Sequence, residues 1–333
     1  MVYEYLQEKF ETICQIQGAP TALSFFSTAL SIIFFIPNIP GNVLLILAVA
    51  IDPHKNLHCP FNHLMGNLAL ADLIVGVVTI PLSINFHLKE GLGIKVTDFE
   101  LHIYHMSYFI SGTASVLSIA SLAVERYLAI SNPHTYRNKV TGKRILGTVA
   151  GIWIVSLSLP FIYFEVDYIT CSFILTNSTV VVSIAITCFT YGMMLYKFKD
   201  HNRHLEMAAV SQVNLATSSQ PSNSRLHNNA VHWEHAMTKM FLVVMVTLLS
   251  CYGPATVLIY TMSFCESCSC NALHWFKDLQ FLFIIMTSSV NFFCYAMRSP
   301  RFREAFSALF QMLCRRTRQL TMNSEPTHTP SSA

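Results

Sequence analysis

The sequence predicts an all-α membrane protein: a seven-transmembrane helix bundle followed by a short amphipathic eighth helix. Hydrophobic residues make up 53% of the chain and charged residues 12%, half the roughly 25% charge of a typical soluble domain. Seven stretches are apolar and long enough to cross a bilayer, which takes ~20 residues in a helix. The lysine and arginine residues, in addition, fall almost entirely on one side of such a bundle.

The predicted spans share a run of apolar residues with few charges, and the Pro and Gly inside several of them are tolerated where helices pack in a membrane. They are Leu23–Ile51, Phe61–His87, Leu101–Ile130, Ile145–Phe164, Tyr168–Phe198, Met237–Phe264 and Leu279–Met297. The sequence shows no duplication of the kind that builds many transporters. The chain therefore divides into an N-terminal segment (1–22), a seven-helix domain (23–298), a surface helix (299–312) and a tail (313–333).

The sequence outside the spans is short or polar. The segment 199–235 is rich in Ser, Asn and His and cannot bury a core, so we predict that this loop and the tail 313–333 are disordered. Between the last span and the tail, Ser299–Phe310 places apolar residues on one face and arginines opposite, which indicates an amphipathic helix on the membrane surface. Cys314, directly after it, is either a palmitoylation site or a free thiol.

The basic residues predict the orientation. With the N-terminus outside, only Lys9, Lys89, Lys95 and Lys277 of the 21 Lys and Arg residues face outward. Because basic residues concentrate on the cytoplasmic side of membrane proteins, we predict a plasma-membrane protein with its N-terminus outside and its C-terminus in the cytoplasm. The net charge of +3 then faces anionic lipid of the bilayer, and no nucleic acid is expected as a partner. A cleavable signal peptide is not expected, since residues 1–17 lack an apolar core.

Charged residues inside or at the edge of these spans are the first functional candidates. Glu125-Arg126-Tyr127 closes the third span, which has no other charge from Ser107 onward. Charge in such a place is costly, so it is a functional hypothesis by default. Asp72 lies near the middle of the second span with no basic residue at its depth. Its carboxyl group is therefore either hydrated or protonated, the latter as a neutral group in a water-mediated network.

Taken together and in order, the motifs resemble those of the rhodopsin-like (class A) G-protein-coupled receptors over roughly Asn42–Phe310. The matching residues each lie on the expected span: Gly41-Asn42-Val43, Asn67-Leu68-Ala69-Leu70-Ala71-Asp72, Ser115, Glu125-Arg126-Tyr127, Trp153, Tyr191, Cys251-Tyr252-Gly253-Pro254 and Asn291-Phe292-Phe293-Cys294-Tyr295. The resemblance implies a receptor, not an enzyme, that binds an extracellular ligand and activates a heterotrimeric G protein. Arrestin and a receptor kinase are further implied partners.

The resemblance also implies a switch between a resting and an active state. Arg126 would be held by Glu125, and by Glu234 at the start of the sixth helix, until that helix moves outward. The alternative for Glu234 is a solvated loop residue. The residues implied for the switch and for G-protein contact are Glu125, Arg126, Tyr127, Ile130, Pro133, Tyr191, Glu234, Tyr252, Pro254, Asn291 and Tyr295.

Two internal sites are implied as well. The polar cluster would hold Na⁺, since oxygen ligands suit a hard cation, and comprises Asn42, Asp72, Ser115, Ser288 and Asn291. The ligand pocket would be mostly apolar and comprises Tyr108, Phe109, Leu175, Ala255, Ile259, Phe281 and Ile285. Such a pocket suits a lipid or an uncharged small molecule. The alternative is that these side chains only pack the bundle.

Departures from the family pattern narrow the ligand class. Tyr108 stands where amine receptors carry an aspartate, and Ile285 stands where opsins carry the lysine that holds retinal. Leu101 replaces the usual cysteine at the outer end of the third helix, a departure that resembles the melanocortin, cannabinoid and lysolipid branch. Leu82, Leu101 and His105, however, replace the acidic residues that bind Ca²⁺ and a basic peptide in melanocortin receptors. The resemblance to this branch therefore does not predict which ligand the protein binds.

Four cysteines lie outside by the predicted topology: Cys14, Cys265, Cys268 and Cys270. Extracellular thiols tend to oxidise, so we expect one disulfide within the outer loop and one to Cys14, with three connectivities open. A zinc site that includes His274 is the alternative. Asn177 begins a glycosylation sequon but lies inside the fifth span, so we predict that it is unmodified.

Two other classes of protein are kept as alternatives. A seven-helix transporter or pump would need several charged groups in a relay, whereas only Asp72 lies deep in the bundle. A receptor-like protein that signals constitutively, or that only partners another receptor, is the other alternative. Tyr252 and Phe292 favour it, because they replace the Trp and Pro that most relatives carry at the two hinges of the switch.

Overall fold

The computed structural model describes residues 14, 18–213, 246–265, 268–298 and 301–312, apart from 54, 56, 58, 132–135, 137 and 139. It confirms the predicted all-α bundle. The helices in this part of the chain are α1 (Thr21–Ile51), α2 (Pro60–Gly91), α3 (Asp98–Ser131), α4 (Gly142–Phe164), α5 (168–213), α6 (Val246–Phe264), α7 (Cys270–Arg298) and α8 (301–312).

Helices α1 to α6 are each long and apolar enough to cross a membrane. Helix α7 has 29 residues and buries a series of polar side chains, among them Gln280, Thr287 and Asn291. We call the face of the bundle that carries Thr21 and Cys270 the N-terminal face. The opposite face, which carries Ser131 and α8, is the C-terminal face.

Helix α3 lies at the centre of the bundle. The most apolar part of α3 is 72% buried, whereas that of α4 is 17% buried. Helix α3 packs against α2, α4 and α5, and α1 packs against α2 and α7. In a membrane this packing depends on close van der Waals contact through small residues. Gly41 of α1 shows it, because a Cβ atom there would lie 2.6 Å from the ring of Phe292 in α7.

Proline residues shape two of the helices. Pro81 in α2 has no N–H, and its ring would clash with the carbonyl of Val77 in a regular helix. The π-helical turn Val75–Thr79 directly precedes it and accommodates the ring. In α4 the chain tightens into a 3₁₀ turn, Leu159–Phe164, at Pro160. Both changes alter the direction in which later side chains point.

Two boundaries differ from the prediction. Helix α5 continues from its π-helical turn as Val182–Val213, so the first part of the segment 199–235 is helical rather than disordered. Leu205, Glu206 and Ala208 are good helix formers. The prediction missed them because it used the composition of the whole segment, which is polar. Helix α7 begins at Cys270 rather than at Leu279. Residues 214–235, the beginning of the predicted sixth span and the tail with Cys314 lie outside the described residues.

Two disulfide bonds lie at the N-terminal face of the bundle. Cys14 is bonded to Cys270, with 5.1 Å between their Cα atoms, and Cys265 is bonded to Cys268, with 5.7 Å. Both distances lie in the usual range for a disulfide. Among the three connectivities that the sequence leaves open, the structure has the one that joins the N-terminal segment to the first residue of α7. His274 lies beside this bond, with Nε2 3.2 Å from the Cys14 carbonyl oxygen.

Candidate functional site

A buried ion pair closes the C-terminal end of the central helix. The Arg126 guanidinium donates two hydrogen bonds to the Glu125 carboxylate, with N···O distances of 2.6 and 2.9 Å. The ring centroid of Phe61 in α2 lies 4.0 Å from the Arg126 Cζ atom. The Glu125 and Arg126 side chains are only 4% and 12% exposed. A bidentate pair between charged groups is a strong interaction, and the aromatic face adds to it.

Tyr136 completes this arrangement from the loop after α3. Its hydroxyl group donates a hydrogen bond to Glu125 Oε1. Burial, together with the adjacent Glu125 carboxylate, raises the pKa of the Tyr136 hydroxyl, which therefore keeps the proton that it donates. The sequence does not predict this contact, because no pattern in the polar loop shows that it folds back onto α3.

The remaining residues predicted for the switch are only partly brought together. Tyr127, Ile130 and Tyr191 pack around the small core formed by Ala123 and Met194, where α3 meets α5. Pro254 lies inside α6 and is half-buried. Tyr295 belongs to α7, but its side chain is not described, and Glu234 and Pro133 lie outside the described residues.

Asp72 is the centre of a polar cluster that joins α2, α3 and α7. Ser115 Oγ donates to Asp72 Oδ1 at 2.9 Å, and Asn291 Nδ2 donates to Asp72 Oδ2 at 2.8 Å. Asn42 of α1 reaches the cluster by donating to the Ser288 carbonyl oxygen at 3.3 Å. All five residues predicted for the cluster therefore meet, and each is at most 1% exposed.

Several oxygen atoms around Asp72 have no hydrogen-bond partner in the described part of the chain. They are Asn42 Oδ1, Ser288 Oγ and the Tyr252 hydroxyl. Tyr252 is 1% exposed, and its phenol brings to this region an oxygen atom that a tryptophan there would lack. A carboxylate surrounded by orphaned oxygen atoms is the donor set that a hard cation prefers. The residues present thus fit Na⁺.

The predicted ligand pocket is assembled but almost closed. All seven predicted wall residues are buried, and the Tyr108 and Phe281 rings lie 4.7 Å apart between centroids. A cavity of about 40 Å³ lies among them, lined in part by Tyr108, Phe109, Leu175 and Ile259. Ligand pockets commonly measure ~300–1,000 Å³. In this arrangement the protein's own aromatic side chains fill the predicted space.

Polar side chains lie next to these aromatic residues. His105 Nδ1 is 2.7 Å from the Tyr163 hydroxyl, and Gln280 Nε2 donates to the Tyr168 hydroxyl at 2.6 Å. His105 Nε2 and Gln280 Oε1 have no partner within the described residues. The sequence prediction names only the apolar wall and misses these groups, since a buried polar residue in an apolar span does not show which way it points.

The fold and these two polar sites define the class of protein as a seven-helix membrane receptor. The chain belongs to the family described as 7 transmembrane receptor (rhodopsin family), whose model matches residues 41–295. This match confirms the resemblance on which the predicted roles depend.

Three relatives illustrate the range of similarity. Dopamine receptor 4 of Caenorhabditis elegans is 31% identical over 43% of this chain and 28% of its own length. Cannabinoid receptor 1 of Xenopus laevis is 26% identical over 89% of this chain and 65% of its own length. Melanocortin receptor 5 of Mus musculus is 25% identical over 80% of this chain and 79% of its own length. The match to the dopamine receptor therefore spans little more than a quarter of that protein, and the other two matches span most of this chain. The latter two bear out the predicted likeness to the melanocortin and cannabinoid branch.

Proposed function

We propose that this chain is a plasma-membrane receptor that binds an extracellular ligand and promotes nucleotide exchange on a heterotrimeric G protein, without catalysing covalent chemistry. The observation that carries the proposal is the buried Glu125–Arg126 pair with its Tyr136 cap. An arginine held on its own helix at the C-terminal face is available to a partner only when the pair opens. Closed and open forms of this pair would be the two states that a ligand-controlled switch requires.

The C-terminal face provides the surface for the G protein. Ile130 and Pro133, with the loop 132–143, would contact the G protein when α6 moves outward and Arg126 leaves Glu125. Arrestin and a receptor kinase would use the same face in the active state. The distribution of basic residues supports this face as cytoplasmic, because the predicted topology assigns all but four of the 21 Lys and Arg residues to this side of the membrane.

The ligand proposed here is a lipid or an uncharged small molecule. The wall of the predicted pocket is apolar, and the polar groups beside it, His105 and Gln280, form hydrogen bonds and supply no carboxylate as a counter-ion. Tyr108 occupies the position at which a charged amine would need its carboxylate. The names of the relatives point to different ligands, so the similarity does not choose among them.

Basal G-protein activation in cells tests the proposal. We expect a signal without added ligand that Arg126→Ala abolishes and Glu234→Ala raises, because the first removes the contact with the G protein and the second weakens the resting state. Arg303→Ala, an exposed arginine of α8 on the same face, is the matched control and leaves the signal unchanged. A basal signal that persists in Arg126→Ala at equal surface expression contradicts the proposal. A wild-type chain without basal signal excludes constitutive activity and moves the same comparison to ligand-stimulated cells.

We further propose that Na⁺ binds at Asp72. The thermal stability of the purified receptor is expected to be higher in NaCl than in choline chloride at equal ionic strength, by ~1.4 kcal/mol when Na⁺ is about tenfold above its dissociation constant. Asp72→Asn removes this difference, because it removes the only charge in the cluster. Asp52→Asn, an aspartate outside the cluster, keeps it. Equal stability of the wild-type receptor in both salts would rule out a sodium site.

A further inference from the structure

A second cluster of titratable residues lies at the N-terminal face, separate from Asp72 and from the predicted pocket. His87 of α2 lies between two carboxylates: its Nδ1 atom is 3.6 Å from Glu90 Oε2 and 3.6 Å from Asp278 Oδ2 of α7. The three side chains are 1%, 21% and 8% exposed, respectively. We call these three residues the outer cluster. None of the functions described above uses it.

Helix α1 holds the two carboxylates in place. Ser24 Oγ donates to Glu90 Oε2 at 2.9 Å, and Ser27 Oγ donates to Asp278 Oδ2 at 2.9 Å. These are the same oxygen atoms that face His87. Neither ring nitrogen of His87 has a hydrogen-bond partner in the part of the chain that the structure describes. The His87 imidazole thus lies at ion-pair distance from the Glu90 and Asp278 carboxylates, which the serine hydroxyl groups of α1 orient.

The other groups around His87 decide the charge of the cluster. Helix α7 contributes Lys277, whose Nζ atom lies over the rings of Tyr168 and Phe86, at 4.6 and 5.9 Å from their centroids. Helix α3 contributes Tyr104, whose ring centroid is 6.2 Å from that of His87, and further off the buried imidazole of His105. Helix α1 contributes only hydroxyl groups.

Charge balance favours uptake of one proton. Among the described residues, the two carboxylates in their ionised form and one ammonium group leave one negative charge uncompensated, and Tyr104 and Tyr168 add none. An unpaired charge in a poorly solvated place is strongly unfavourable. Protonation of His87 would cancel it with a cation in contact with both carboxylates. Histidine is the side chain that ordinarily changes charge between pH 5 and 8.

We propose that the outer cluster is a binding site for the extracellular proton, which His87 accepts between Glu90 and Asp278. The imidazolium then joins α2 to α7 at the N-terminal face. The same two helices also meet deeper in the bundle, where Asn291 of α7 donates a hydrogen bond to Asp72 of α2. In the structure that has these contacts between α2 and α7, the Glu125–Arg126 pair is closed. Acidification therefore stabilises the resting arrangement and lowers signalling. Glu90 is the most exposed of the three residues and provides the path to solvent.

Thermal unfolding of the purified full-length receptor between pH 8 and pH 6 tests proton binding directly. Relative to His87→Gln, the unfolding temperature of the wild-type protein is expected to rise by about 2–4 °C at the lower pH. Asp278→Asn is a second variant and also loses the gain, because it removes the uncompensated charge while keeping the histidine. His102→Gln, which changes an exposed histidine at the same face, is the matched control and keeps the gain.

The outcomes separate the proton site from the receptor function. A gain in His87→Gln equal to that of the wild type, or no gain in the wild type, overturns the proton site. The effect on signalling rests on the proposed function: acid outside the cell lowers the G-protein signal in the wild type and not in His87→Gln. An unchanged wild-type signal overturns the link to the switch even where stability responds. A G-protein signal that persists in Arg126→Ala, together with the stability gain, contradicts the proposed function and leaves the proton site standing.

Discussion

Gly76→Ala is expected to lower the stability of the receptor and the amount of it that reaches the cell surface. Gly76 lies in the π-helical turn of α2, where a Cβ atom would come within 2.0 Å of Asn38 Oδ1 and 3.1 Å of Ile39 Cγ1 in α1. Asn38 is 0% exposed, so its side chain can move away only by displacing its neighbours. Overpacking in a tight core usually costs ~1–3 kcal/mol and occasionally more. We expect an overlap of this size to cost about 3 kcal/mol. This cost is a large part of a total folding stability of about 5–15 kcal/mol.

The same pair of helices offers both a control and a rescue. Gly66→Ala also adds a methyl group to α2, but its nearest neighbour would be Val49 Cγ1 at 3.6 Å, and we expect no loss. Asn38→Ala in the Gly76→Ala background makes room for the methyl group. It should restore folding, because the Asn38 amide atoms form no hydrogen bond within the described residues. Surface labelling and thermal unfolding measure both effects. If Gly76→Ala is as stable as Gly66→Ala, the described contact between α1 and α2 is wrong.

Glu125→Gln is expected to raise basal G-protein activation about tenfold. The substitution keeps the shape of the side chain but removes the charge that holds Arg126 by two hydrogen bonds of 2.6 and 2.9 Å. Hydrogen bonds to a charged group contribute ~1.5–3 kcal/mol, and each ~1.4 kcal/mol lost from the resting state changes the equilibrium tenfold. Nucleotide exchange on the G protein, at matched receptor density, measures the change.

Tyr136→Phe should give a smaller increase of the same kind. It removes one hydrogen bond to Glu125 and leaves the ion pair intact, so the expected rise is about fivefold, corresponding to ~1 kcal/mol. Tyr196→Phe in α5 is the control, since Tyr196 is 67% exposed and should have no effect. A decrease of basal activity in Glu125→Gln, or equal effects of the two tyrosine variants, would show that the Glu125 contacts do not hold the resting state.

Phe292 shows how a departure in the sequence finds its explanation only in the fold. The sequence marks it as a replacement for the proline of most relatives and hence as an altered hinge. In the structure its ring packs against Gly41 of α1 and lies 5.6 Å from the ring of Phe306 in α8. A large aromatic residue at this position therefore has a packing role between α1, α7 and α8, which the absence of a side chain at Gly41 allows.

The fold class, the approximate spans, the Glu125–Arg126 motif and the buried charge of Asp72 follow from the sequence, whereas the other residues of the Asp72 cluster follow from the resemblance to the receptor family. The physical reason is that a bilayer constrains each helix separately. A span must be apolar over its length, and a charge within it stands out against that background. These properties belong to single segments of the chain, so they can be recognised before any helix is placed next to another.

The tertiary structure decided the contacts between segments. The Tyr136 cap on Glu125, the disulfide between Cys14 and Cys270, the insertion of Asn38 against Gly76 and the meeting of His87 with Asp278 each join residues whose proximity depends on how two helices or loops are rotated and offset. Within an apolar span, the sequence does not reveal that rotation, because lipid-facing and buried sides are both hydrophobic. The π-helical turns of α2 (Val75–Thr79) and α5 (Thr176–Val181) change the rotation of these helices further. Only the packed bundle shows which polar side chains share one site.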